Sequence, residues 1–131
     1  MVGIVIVSHS QKVAEGIRDM ALQMSKPEQQ IIAAGGMDNG EIGTDVMKIS
    51  EAMIAANTGD GVVVMVDLGS AVMSTDTALE LFDEETRDQI KIADAPILEG
   101  AISATVEASL GSSLATVLAT AEGARNFKKC E

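Results

Sequence analysis

Four short apolar runs punctuate the chain, at residues 2–7 (VGIVIV), 30–34 (QIIAA), 61–66 (GVVVMV) and 89–93 (QIKIA), and the stretches between them carry apolar residues at helical spacing. That rhythm is strand alternating with helix. The first and third runs are nearly continuous and rich in Val and Ile, the pattern of strands covered on both faces, so they are expected at the centre of a sheet. Val13, Ile17, Met20, Ala21 and Met24 predict the inner stripe of a first helix, and Val46, Ile49, Met53 and Ile54 that of a second. Val72, Leu79 and Phe82 mark a third, and Leu98, Ile102, Val106 and Leu110 a fourth. Gly111-Ser112-Ser113 predicts a stop and a new cap, after which Leu114, Val117, Leu118 and Ala121 continue the pattern. Ser10, Thr44 and either Ser70 or Ser74 stand where N-caps are wanted. The eight Met residues, mostly on these stripes, are expected to fill the core.

The right-handed crossover turns this order into an α/β fold: an open, mainly parallel sheet, order 2-1-3-4, with helices on both faces. The expected organisation is one domain over residues 1–124 and a C-terminal tail over 125–131. In such a sheet, ligands collect beyond the carboxyl ends of the strands. The search for chemistry therefore narrows to four loops.

Composition removes several alternatives. With 131 residues and 47% apolar side chains the chain can bury a core, and with two Phe and no Trp or Tyr that core must be aliphatic. A net charge of −11 leaves no basic face for nucleic acid. The apolar runs are too short to span a bilayer, and the start at Met1-Val2-Gly3 lacks a charged n-region, so a cytoplasmic protein is expected. Cys130 is the lone cysteine, which excludes an internal disulfide or a Cys-based zinc site.

His9, the single histidine, lies just after the first strand and just before a helix. Imidazole there can carry a proton, a metal or a phosphoryl group, and the junction supplies backbone N–H groups for phosphate oxygens; the alternative is a plain surface or capped histidine. Asp67 ends the third strand, which lies beside the first in this topology, so it can reach His9 and fix the ring's tautomer. Capping of the next helix is the simpler role for Asp67. Gly69-Ser70 reads either as a phosphate-holding loop or as an ordinary helix start. The glycine-rich stretch 35–45 (GGMDNGEIGTD) reads either as an anion cradle or as a flexible, turn-rich loop, and Glu41-Ile42 stand where a nucleotide-binding loop needs Lys and Ser or Thr. No metal ligand set is apparent.

IVIVSHS at 4–10, GTD at 43–45, VDLGSA at 66–71, TALEL at 77–81 and APILEG at 95–100 resemble the DhaM family. These are the phosphotransfer subunits of bacterial dihydroxyacetone kinase, within the mannose-class IIA domains of the phosphoenolpyruvate-dependent sugar phosphotransferase system. Sugar-transporting members usually carry a Trp-Gly-Gly-Ser type loop where this chain reads Leu68-Gly69-Ser70-Ala71, which favours the kinase subunit.

The resemblance implies a phosphotransferase with a phosphohistidine intermediate. The residue matching His9 accepts phosphate from the phosphocarrier protein HPr and passes it to ADP held on a separate subunit, DhaL. The ATP so formed phosphorylates dihydroxyacetone bound to DhaK. The Asp matching Asp67 orients the imidazole; Ser10, Gly43, Thr44, Gly69 and Ser70 are expected to line the phosphate pocket. No cofactor or metal is expected on this chain itself, and a homodimer is expected. The alternatives are a IIA domain serving a IIB domain of a sugar transporter, and a non-catalytic regulatory module. A histidine phosphatase lacks its arginines, since Arg18, Arg87 and Arg125 fall on helices or near the tail.

Overall fold

Five apolar or small residues leading to Ser8 form β1 (Gly3–Ser8), buried along its whole length. The computed structural model describes residues 1–130. After β1 come α1 (Gln11–Leu22), β2 (Ile31–Gly35), α2 (Val46–Ala56), β3 (Val62–Val66) and α3 (Gly69–Leu79). The chain continues through α4 (Glu84–Asp88), β4 (Ile90–Ile92), α5 (Ile97–Ser109) and α6 (Leu114–Gly123) to a 3-10 turn at Ala124–Asn126. The four strands form one parallel sheet in the order β2-β1-β3-β4, as the sequence pattern predicts.

Alternating side chains of β1 and β3 feed two cores. Ile4, Ile6, Val63 and Met65 pack under α1, α5 and α6, while Val5, Val7, Val62 and Val64 pack under α2 and α3. Each such side chain, wholly withdrawn from water, is worth about 1.5–3 kcal/mol. The sheet is held from both sides, so the ends of its two central strands form a fixed platform.

The helices meet this platform through smaller residues than the stripes suggest. In α1 the buried residues are Ala14, Ile17 and Ala21, whereas Val13, Met20 and Met24 are exposed. In α5 they are Gly100, Ala101, Ala104, Thr105 and Ala108, and Val106 and Leu110 face outward. Ile54 of α2 is exposed as well. Small residues let a helix axis approach closely, pushing the large ones of a broad apolar arc to its margins. At Gly100 an added Cβ would stand 2.4 Å from the Met65 Cε.

The methionines correct the expectation of core filler. Only Met53 and Met65 are buried; Met20, Met24, Met37, Met47 and Met73 are exposed. Two caps also differ. Ser10 caps α1 by accepting the Val13 N–H, but Asp45, not Thr44, caps α2. α3 follows Leu68 without a side-chain cap, so Ser70 lies inside its first turn and Ser74 further along the helix. The short α4, capped by Asp83, has no buried residue and hence left no apolar stripe to read. Beyond α6, Arg125 pairs with the Asp94 carboxylate at 3.0 Å, and Lys129 with Glu99 at 2.5 Å. Residue 131 of the expected tail lies outside the described residues.

Candidate functional site

Parallel pairing of β1 with β3 sets Val7 opposite Val66, which brings the next residues of both strands side by side at the carboxyl edge. There the Asp67 carboxylate accepts four hydrogen bonds. Its Oδ1 receives the His9 Nδ1–H at 2.9 Å and the Leu68 N–H at 2.7 Å. Its Oδ2 receives the Ser8 hydroxyl at 2.9 Å and the His9 N–H at 3.0 Å. Burial pushes the Asp67 carboxyl up, but the His9 amide, the His9 ring, Ser8 and Leu68 together outweigh it and hold the group below the ordinary carboxylate range.

A carboxylate only accepts, so Nδ1 bears the proton and, in the neutral ring, Nε2 offers a lone pair. That lone pair meets the Ser70 hydroxyl at 2.5 Å. Ser70 is the second residue of α3, whose first N–H groups have no acceptor within the helix. The imidazole nitrogen free for chemistry thus faces a helix N-terminus, where negative charge is favoured. The side chains of His9 and Asp67 keep 21% and 19% of their surface exposed, so the ring is held from behind and open in front.

The amides of Gly36, Gly40 and Gly43 in the glycine-rich loop after β2 are engaged within the protein, so these glycines shape the loop rather than cradle an anion. Gly36 donates to the Ser8 carbonyl, Met37 to Glu41, Gly40 to Met37 and Gly43 to the His9 carbonyl. Glu41 N–H is taken by the Asn39 side chain. The left-handed φ of +70° at Gly36 and +83° at Gly40 allows the tight path. Lys48 of α2 clamps the base of the loop, its ammonium donating to the carbonyls of Gly35 and Met37 at 3.2 and 3.5 Å.

The expected site residues separate accordingly. His9, Asp67 and Ser70 form one hydrogen-bonded chain. Gly69 opens α3 beside it. Gly43 buttresses the His9 backbone, and the Thr44 hydroxyl pairs with that of Ser74 at 2.6 Å, joining α2 to α3. The Ser10 hydroxyl is engaged in capping α1. Sequence reasoning missed Ser8, which is buried and both donates to Asp67 and accepts the Ser10 N–H. It also missed Lys48 as a clamp. The readable signal for Ser8 was a polar residue closing an otherwise apolar strand. Beside Asp67, a cleft of about 470 Å³ opens between the ends of β3 and β4, walled by Leu68, Val72, Ile92 and Ala95. Among the described residues no cluster of metal-ligating side chains is present, and no helix is long and apolar enough to cross a membrane.

Residues 3–118 match the EIIA-man family model, described as the PTS system fructose IIA component. The phosphoryl donor subunit DhaM of PEP-dependent dihydroxyacetone kinase 2 from Listeria innocua is 37% identical over 118 residues, covering 90% of this chain and 94% of that protein. DhaM of Escherichia coli is 39% identical over 132 residues, covering 98% of this chain. The chain spans only 28% of the length of that relative and of the Providencia stuartii DhaM. A crystal structure of a protein of unknown function superposes with a TM-score of 0.85 at 32% identity, over the full length of both chains. The EIIA component from Streptococcus agalactiae superposes with a TM-score of 0.68 over 95% of this chain and 92% of its own, and at 14% identity it shows the fold alone. The fold, the matched residues and the similarity to DhaM subunits over nearly the whole chain agree: the chain belongs to the EIIA-man family, the PTS system fructose IIA components.

Proposed function

We propose that this chain is the phosphoryl carrier of a phosphoenolpyruvate-dependent dihydroxyacetone kinase, holding phosphate on Nε2 of His9. The observation that carries the reading is the Nδ1–H to Asp67 hydrogen bond of 2.9 Å, which leaves Nε2 as the nucleophile on the open side of the ring. The donor is phosphorylated HPr. The Nε2 lone pair attacks phosphorus, the bond from phosphorus to the donor's imidazole nitrogen breaks, and its electron pair returns to that ring. As positive charge grows on His9, the Asp67 carboxylate beside Nδ1 balances it. The Ser70 hydroxyl turns its hydrogen from Nε2 to a phosphoryl oxygen. The first N–H groups of α3, at Gly69 and Ser70, face the remaining negative charge.

The acceptor is ADP held on DhaL. An ADP oxygen attacks the phosphoryl group, the P–Nε2 bond breaks, and ATP forms on the partner for use on dihydroxyacetone bound to DhaK. Residues 1–124 form the carrier domain, which acts in the cytoplasm as a homodimer and needs no cofactor of its own. A shallow site suits this work because two proteins must reach the same nitrogen in turn.

The test is a single-turnover assay with purified phospho-HPr followed by ADP-loaded DhaL, with phosphate located by peptide mapping under alkaline conditions that preserve phosphohistidine. Label arriving on the peptide holding His9 and leaving with DhaL and ADP is expected. Label that a IIB domain removes and DhaL does not would instead indicate the sugar-transport relay.

A further inference from the structure

β1 ends against its own pattern. Ile4, Val5, Ile6 and Val7 are wholly buried, and Ser8, next in the strand, is 1% exposed although its side chain is polar. A hydroxyl withdrawn from water costs free energy unless it is bonded, and Val would suit the last position of a covered strand better. Such a departure from the local rule is characteristic of a site where function outweighs stability. The Ser8 oxygen accepts the Ser10 N–H at 3.1 Å, which leaves its hydrogen for the Asp67 Oδ2 at 2.9 Å. Of the four donors to Asp67, the amides of His9 and Leu68 are backbone groups that most residues would supply there, and the third is the ring being held. Ser8 is the donor that the choice of side chain adds. It binds Oδ2 while the ring binds Oδ1, so the carboxylate is held at both ends.

We propose that Ser8 is a positioning residue for phosphoryl transfer: its hydroxyl fixes the Asp67 carboxylate, which keeps the proton on Nδ1 of His9 and the lone pair on Nε2. The inference rests on the carrier reading above and adds to it the group that sets which ring nitrogen reacts. Ser8 acts through Asp67, to which it is bonded, and not on phosphate. Four donors fill the four lone-pair sites of an ionised carboxylate. With one site on Oδ2 vacated, the group turns more freely about its Cβ–Cγ bond and its aim at Nδ1 loosens. The Ser10 N–H prevents the hydroxyl from turning its hydrogen elsewhere, so the donor stands ready before any phosphate arrives.

The test uses the full chain, labelled with nitrogen-15 at its single histidine so that two imidazole signals report the ring directly. On the alkaline plateau, where the ring is neutral, wild type should show a protonated Nδ1 and a lone-pair Nε2. In Ser8→Ala the two signals should move toward each other as the other tautomer gains population. Transfer is followed with phospho-HPr and with phosphoramidate, a small donor that gives phosphate to imidazole with release of ammonia. The expected result in Ser8→Ala is a kcat for phospho-HPr lowered about tenfold at unchanged KM, and a phosphoramidate rate lowered by a similar factor, the scale of one hydrogen bond to a charged group. Ser50→Ala is the control. It removes a hydroxyl of similar burial, one that donates to the Met47 carbonyl within α2, and should leave both readouts at wild type. Ser8→Cys fills the same space with a weak donor and should reproduce the loss if Ser8→Ala fails to fold. Wild-type shifts or wild-type rates in a Ser8 variant whose melting curve shows it folded would overturn the positioning role. Failure of wild-type protein to take phosphate from either donor would overturn the carrier reading beneath it, while the shifts would still decide whether Ser8 holds the ring.

Discussion

The loop after β2 and the paired junctions after β1 and β3 lie at the same edge of the sheet and are all polar, yet they spend their hydrogen bonds differently. The loop after β2 turns the amides of Gly36, Met37, Gly40, Glu41 and Gly43 on itself and on the Ser8-His9 backbone, and Lys48 donates to the carbonyls of Gly35 and Met37. The paired junctions after β1 and β3 instead direct a half-buried carboxylate at one ring nitrogen and leave the other facing a helix start. Polar groups that satisfy one another give shape. Only those left partly unmatched, on a frame that cannot relax around them, are available for chemistry. On the proposed function, the glycine-rich loop is a wall of the site and the His9–Asp67–Ser70 chain its working part.

Substitutions in the two regions should differ in kind. The largest effect is expected for His9→Ala, which removes phosphate acceptance completely while the melting curve stays near wild type, as read by intact-protein mass spectrometry and circular dichroism. Asp67→Asn should slow transfer by roughly 10²-fold or more, on the scale set by misoriented imidazoles in His–Asp pairs; wild-type rates in stopped-flow transfer would remove Asp67 from the mechanism. The same variant changes the acid response. Because the folded-state pKa of Asp67 is depressed, its contribution to stability is present above the unfolded value near 4 and is lost as pH falls through the lower folded value. Denaturant titrations at a series of pH values should show a shallower loss below about pH 4 in Asp67→Asn.

Ser70→Ala should cost about tenfold in transfer, the loss of one hydrogen bond worth roughly 1.4 kcal/mol in the transition state. In the wall, Lys48→Met should lower unfolding free energy by about 1–3 kcal/mol, since two carbonyls lose a charged donor, yet change the phosphoramidate rate far less than Ser70→Ala. A larger rate effect in Lys48→Met than in Ser70→Ala would erase the distinction between wall and working part. The smallest expected effect is ionic: transfer from HPr should fall a few-fold as salt rises from about 50 to 300 mM, because a chain of net charge −11 steers a donor with a basic face.

The strands were legible because both faces of β1 and β3 are buried, and an unbroken Val and Ile run has few other readings. The meeting of His9 with Asp67 followed from topology alone, since order 2-1-3-4 makes their strands neighbours. The helix faces were harder. α1 and α5 seat Ala and Gly against the sheet and lift Val13, Met20, Val106 and Leu110 to the surface, so counting large apolar residues finds the wrong edge of a broad arc. Caps failed at Thr44 and Ser70 for a local reason: Asp45 competes for the same amides, and Ser70 is drawn to a ring nitrogen distant in sequence. The exposed methionines were misread for the same reason as the loop glycines, because composition does not say which groups the fold has already satisfied.

The central claim is that Nε2 of His9 carries phosphate between two proteins. Intact-protein mass spectrometry after incubation with phosphoenolpyruvate, enzyme I and HPr, before and after addition of ADP-loaded DhaL, tests it most directly. One phosphoryl group gained by wild type, absent in His9→Ala and removed by DhaL with ADP, is the predicted result. No gain, or a gain that persists in His9→Ala, would contradict it.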